Sequence, residues 1–185
     1  MKNLKLVSML FYAALALYSC TKSDLEIKTP KDNKQDSIVV ETKKSTVWSV
    51  IKGSENHNYL EAAVVAAELQ GVLSDNTGAF TVLAPTDEAF IDLAVELGVG
   101  IPDLLELPSL RDILLYHILP EVLLEEVLLP ASINSMHGTL LTEEPIYFQS
   151  NGAGIRVNGV ASVTSTDLLA ENGVVHEINK VLSPL

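Results

Sequence analysis

The chain has 185 residues, 48% apolar and 19% charged, with a formal net charge of −12; that suits one domain with a sizeable core plus flanking segments. Residues 1–45 hold eight Lys against five acids (+3), whereas residues 46–185 hold four bases (Lys52, Arg111, Arg156, Lys180) against nineteen acids (−15). Nucleic-acid binding needs Lys and Arg to neutralise phosphates, so this acidic body excludes it.

The N-terminus reads MKNLKLVSMLFYAALALYSC. Lys2 and Lys5 form a basic start, Leu6–Tyr18 an apolar run, and Ser19 a small residue before Cys20. This is the pattern of a secretory signal over residues 1–19. The apolar run is short for a spanning helix, which needs about 20 residues. Leu17-Tyr18-Ser19-Cys20 resembles a bacterial lipobox, in which the cysteine thiol is acylated and becomes the new N-terminus. Cys20 is the only cysteine, so no disulfide can form within the chain. The resemblance implies attachment to a membrane through lipid on Cys20. Two or three acyl chains would hold firmly, at about 0.8 kcal/mol per buried methylene. Residues 20–45 are rich in Lys, Asp, Ser and Thr and read as a flexible tether; Ile38-Val39-Val40 is its only apolar cluster.

A domain is expected over residues 46–185. Val47–Ile51 opens an apolar-periodic stretch, and Leu60, Val64, Ala67 and Val72 recur near helical spacing, with Gly71 as the expected stop. AFTVLAP reads as a strand. It runs into Thr86, a helix cap with Asp87 and Glu88 in the first turn. In PSLRDILLYHIL, Leu110, Ile113, Leu114 and His117 fall on one helical face, and Pro120 ends the helix. Strands are expected at 121–129, 138–141, 146–149, 155–157, 161–164 and 174–182. Asn151-Gly152, Asn158-Gly159 and Asn172-Gly173 mark turns between them. Helices first and strands second indicate an α+β fold.

Three blocks, FTVLAPTDEAF (80–90), LYHILP (115–120) and AENGVVHEINKVLSP (170–184), together resemble the fasciclin (FAS1) domain. The resemblance implies a wedge-shaped β-sandwich with several helices packed at one edge. It also implies a non-catalytic adhesion module that binds protein or polysaccharide and needs no cofactor. Tyr116 and His117 match the family's adhesion-associated pair, with service in the core as the expected role. Asp167-Leu168 occupies the place of an Asp-Ile pair tied to integrin binding in animal members. Glu177 stands where the family has a β-branched residue, and so is expected to face solvent or a partner.

Enzyme chemistry finds little support. The four histidines, His57, His117, His137 and His176, show no metal-binding spacing, and HExxH is absent. G-x-S-x-G is absent too. The doublets Glu125-Glu126 and Glu143-Glu144 do not by themselves place two carboxyls across a cleft. His176 is expected to pack in a strand beside Val174 and Ile178, hydrogen-bonded locally. The expectation is a monomeric outer-membrane lipoprotein, surface-exposed or periplasmic, that binds through its FAS1 domain. The alternative is an accessory glycan-capture component beside a transporter; few aromatics remain in the mature chain to line such a site.

Overall fold

A computed structural model describes residues 45–130, 134–142 and 144–184. The signal segment, Cys20 and the tether up to residue 44 lie outside the described residues. Helices α1 (Val47–Lys52), α2 (Asn58–Ala66) and α3 (Gln70–Leu73) precede strand β1 (Phe80–Pro85). Helices α4 (Asp87–Leu97), α5 (Ile101–Leu105) and α6 (Leu110–Tyr116) follow, then β2 (Ile118–Leu119) and α7 (Glu125–Leu128). The strands β3 (Asn134–His137), β4 (Ile146–Ser150), β5 (Ile155–Val157), β6 (Ala161–Ala170) and β7 (Gly173–Ile178) complete the order.

Local chemistry sets several boundaries. The Thr46 hydroxyl accepts from Ser49 N–H and the Thr86 hydroxyl from Ala89 N–H, each at 3.3 Å, capping α1 and α4. Gly98 closes α4 in the left-handed region at φ 68°. Asp103 accepts from the Gly100 N–H at 3.2 Å at the start of α5.

The seven strands form a mixed sheet in the order β2-β1-β7-β6-β5-β4-β3. Among the described residues only β1 and β7 pair in parallel; the other neighbours are antiparallel. The start of β6 pairs with β5 and the remainder with β7, with register irregularities on either side of Ser165. Bulges bend a strand and increase its twist, and here they divide the sheet into two leaves. Leu83 and Ile178 from one leaf join Phe148 and Val157 from the other in a core between them. Val82, Ala84 and Val175 face the opposite way, into a second core built with Ile51, Leu60, Phe90 and Leu114 of the helices. β1 is therefore buried on both faces, which explains why it is apolar except at Thr81, whose hydroxyl donates to the Glu121 carbonyl and accepts from the Leu123 N–H.

Several elements differ from their expected bounds. The stretch 121–129 is not a strand: residues 125–128 form α7, because the Asp167 carboxylate accepts from Glu125 N–H at 2.9 Å and caps the turn. The strand placed at 138–141 lies instead at Asn134–His137. Beyond it Leu140 N–H bonds the Ile118 carbonyl, and the Thr139 hydroxyl donates to the Leu141 and Glu144 carbonyls. Gly71 stops nothing and sits inside α3; the break falls at Glu68, at φ 58°. Helix α6 ends at Tyr116, so His117 is its C-cap rather than a residue of its apolar face. β6 extends to Ala170, and β7 ends at Ile178.

Candidate functional site

Tyr116 is 2% exposed. Its hydroxyl accepts from the Asn158 amide at 2.8 Å and donates to the Pro145 carbonyl at 3.2 Å. Burial raises its pKa. His117 is also buried. Nδ1–H donates to the Ile113 carbonyl at 2.7 Å, and Nε2 accepts the Leu182 N–H at 2.9 Å. Those partners fix the neutral ring, and burial pushes its pKa down to about 4. Contact with a partner through either side chain requires opening the fold.

His176, 0% exposed, links two distant segments. Nε2–H donates to the Leu123 carbonyl at 2.7 Å, while Nδ1 accepts the Asp167 N–H at 3.2 Å. Burial lowers its pKa, opposed by the Leu123 carbonyl and by the nearby Asp167 and Glu125 carboxylates. Asp167 holds a positive φ of 55° in the β6 irregularity and directs its carboxylate to α7. The Thr166 hydroxyl donates to the Glu125 carboxylate at 2.8 Å beside it. Leu168 packs partly buried against the helical core. Both ring nitrogens of His117 and of His176 are engaged, so neither can act as a base without breaking the interior.

Glu177 is half-buried and accepts from the Thr164 hydroxyl at 3.3 Å. In register it lies beside Ala84, on the helix-facing side of the leaf. There it and Asp87 raise the pKa of His57, against a larger lowering by burial. The His57 Nδ1 meets the Ser54 hydroxyl at 2.7 Å. Its Nε2 is the one buried side-chain polar atom among the described residues without a hydrogen bond.

Two hydrogen-bonding devices, one of them buried, were missed by sequence reading. Asn172 accepts from Val47 N–H at 2.8 Å and donates to the Leu73 and Asp75 carbonyls at 3.0 and 2.9 Å. It thereby joins α1, α3 and β7; its only sequence signal was the turn pair Asn172-Gly173. Asp87 accepts from Tyr59 N–H and the Asn58 amide, each at 2.8 Å, and so holds the start of α2 as well as of α4. Among the described residues no group of three or more His, Cys, Asp or Glu is arranged to hold a metal ion.

A cleft of about 410 Å³, with mixed polar and apolar walls, opens where β4, β5 and β6 meet the 151–154 turn. Gln149, Ser150, Asn151, Arg156 and Ser162 supply its polar lining, and among the described residues no carboxylate lines it. Gln149 pairs with Arg156, and Arg156 with Ser162, so these three side chains form one row across the strands. A second cleft of about 440 Å³ adjoins it, shares Ala153, Gly154, Ile155 and Val163, and ends at Thr164, Ser165, Thr166 and Glu125.

Two curved leaves sharing one strand, helices against one of them and histidines engaged in the interior together define a fasciclin-type domain. The Fasciclin domain model matches residues 55–184, and the chain belongs to that family. It is 32% identical over 184 residues to protein sll1483 of Synechocystis sp., an alignment covering 97% of this chain and 96% of that one. To transforming growth factor-beta-induced protein ig-h3 of Sus scrofa it is 31% identical over 150 residues, 79% of this chain but 20% of that protein. A solved FAS1 domain pair from the insect cell adhesion molecule fasciclin I superposes with a TM-score of 0.62 at 15% identity. That match covers 75% of this chain and 51% of the other. It supports the fold.

Proposed function

We propose that the chain is a lipid-anchored adhesion or ligand-binding module of the cell envelope that performs no catalysis. The observation that carries the reading is the family match over residues 55–184, together with the likeness in fold to a FAS1 pair from a cell adhesion molecule. The engaged ring nitrogens of His117 and His176 favour it over a hydrolase. Lipid on Cys20 would set the location in the outer membrane and the following residues the reach. Away from the cleft beside the 151–154 turn, the −15 balance after residue 45 favours basic or cation-bridged contacts, held in a salt-sensitive way.

Beads carrying the whole chain should capture cells or envelope fragments, and capture should weaken as salt rises. Capture equal to that of bare beads would refute the adhesion reading. Replacing Cys20 by Ser should abolish labelling by a fatty-acid probe; persistent labelling refutes the anchor. Glycan capture is the second reading, favoured by the cleft beside the 151–154 turn.

A further inference from the structure

The geometry points to the cleft between β4, β5 and β6 as a binding site for an acidic polysaccharide. This rests on the binding-module reading above and names a ligand class for one face of it. Three observations converge.

The first is charge. The body carries four bases against nineteen acids, yet the cleft beside the 151–154 turn has Arg156 as its only charge. Among the described residues Arg156 makes no ion pair. One Nη2–H donates to the Gly159 carbonyl at 2.6 Å, which steadies the guanidinium and leaves its remaining N–H groups directed elsewhere. A fixed, unpaired guanidinium matches a carboxylate in a bidentate way. An anion is repelled by an acidic surface in general, and Arg156 supplies an attraction at this cleft.

The second is hydrogen-bonding capacity. The side chains of Gln149, Ser162 and Ser165 make no hydrogen bond in the structure. Among the described residues the buried side-chain polar atoms are otherwise partnered, with His57 Nε2 the exception. Unengaged amides and hydroxyls along a concave surface suit the hydroxyls of a sugar chain.

The third is shape. The two adjoining clefts share the small residues Ala153 and Gly154, so the path between them is low-walled. A Cβ on Gly154 would meet no atom within 4 Å. The carboxylate of Glu125 at the far end is already held by the Thr166 hydroxyl. The groove thus runs from a cation to a row of hydroxyls, the arrangement for an extended glycan with its acidic group at the Arg156 end.

The test uses the full chain in mild detergent, with polygalacturonate as the acidic probe and dextran as the neutral one. Titration should show polygalacturonate binding and at least tenfold weaker binding of dextran. Arg156→Gln should weaken polygalacturonate binding at least tenfold. Gly154→Glu leaves the arginine intact, places a carboxylate in the groove and should abolish binding; thermal melting of both variants checks that they fold. Equal binding of the two polymers, or undiminished binding by two folded variants, overturns the assignment. So does failure of the wild-type chain to bind polygalacturonate. Cell capture by the same bead-bound samples separates the two readings: retained capture without polygalacturonate binding sinks only the cleft, and loss of both sinks the adhesion reading as well.

Discussion

β6 contributes to two polar regions that behave oppositely. At Asp167 it meets His176, Leu123 and α7, and there both His176 ring nitrogens, the Asp167 N–H and the Glu125 N–H have fixed partners in the chain. At Ser162 and Ser165 it lines the cleft, where these two side chains have none. The first region costs stability when disturbed, because a buried donor or acceptor left alone loses about 1–3 kcal/mol. The second can be altered cheaply, since water already solvates it. Polar residues inside specify the fold, and those at the cleft are available to something else.

The largest expected loss tests the interior at its tightest point. Gly173 has φ 154°, and a Cβ there would overlap the Phe80 carbonyl at the β1–β7 seam. Gly173→Ala should cost about 4 kcal/mol or prevent folding, read by chemical denaturation. His117→Ala leaves the Leu182 N–H and Ile113 carbonyl unpartnered beside a cavity and should cost about 3 kcal/mol. His176→Ala should cost a similar amount, whereas Glu177→Ala should leave the melting curve nearly unchanged.

Acid should act on the same interior. The folded His117 has its pKa lowered from 6.5 to about 4, so the unfolded chain takes up its proton first as pH falls. Its contribution is complete above pH 6.5 and is lost between pH 6.5 and about 4, by about 3 kcal/mol in all. His176 and His57 are shifted in the same direction and should add to that loss. In denaturant titrations at stepped pH, a flat stability across this window would contradict the buried neutral rings.

Smaller effects sharpen the contrast along β6. Asp167→Ala removes the cap of α7 and places a non-polar residue at positive φ; about 1–2 kcal/mol should be lost. Asp167→Asn, which tolerates that backbone and keeps an acceptor, should lose less. At the cleft, Arg156→Gln should change stability by no more than about 0.5 kcal/mol. A loss as large as that of Asp167→Ala would place Arg156 with the structural groups.

Features whose causes lie within a few residues were legible in the sequence. Thr86 announced α4 because its hydroxyl reaches only three residues ahead, and Asn158-Gly159 announced its turn because both residues take positive φ, 53° and 69°. Helix α7 was hidden because its cap comes from Asp167, on a strand far along the chain. Asn172 read as a turn residue because Val47, Leu73 and Asp75 come to it only after folding. The cleft was illegible for the same reason: Gln149, Arg156 and Ser162 become neighbours through strand register.

The parallel seam between β1 and β7 has a consequence for how the protein is made. β7 is the last of the described strands in sequence but sits third in the sheet, with residue 80 beside residue 173. Until it emerges, β1 has only the two-residue β2 beside it and β6 is paired only at its start. Contacts between such distant segments form slowly. A nascent chain of this design therefore keeps β1 without its parallel partner until residue 178 has been synthesised.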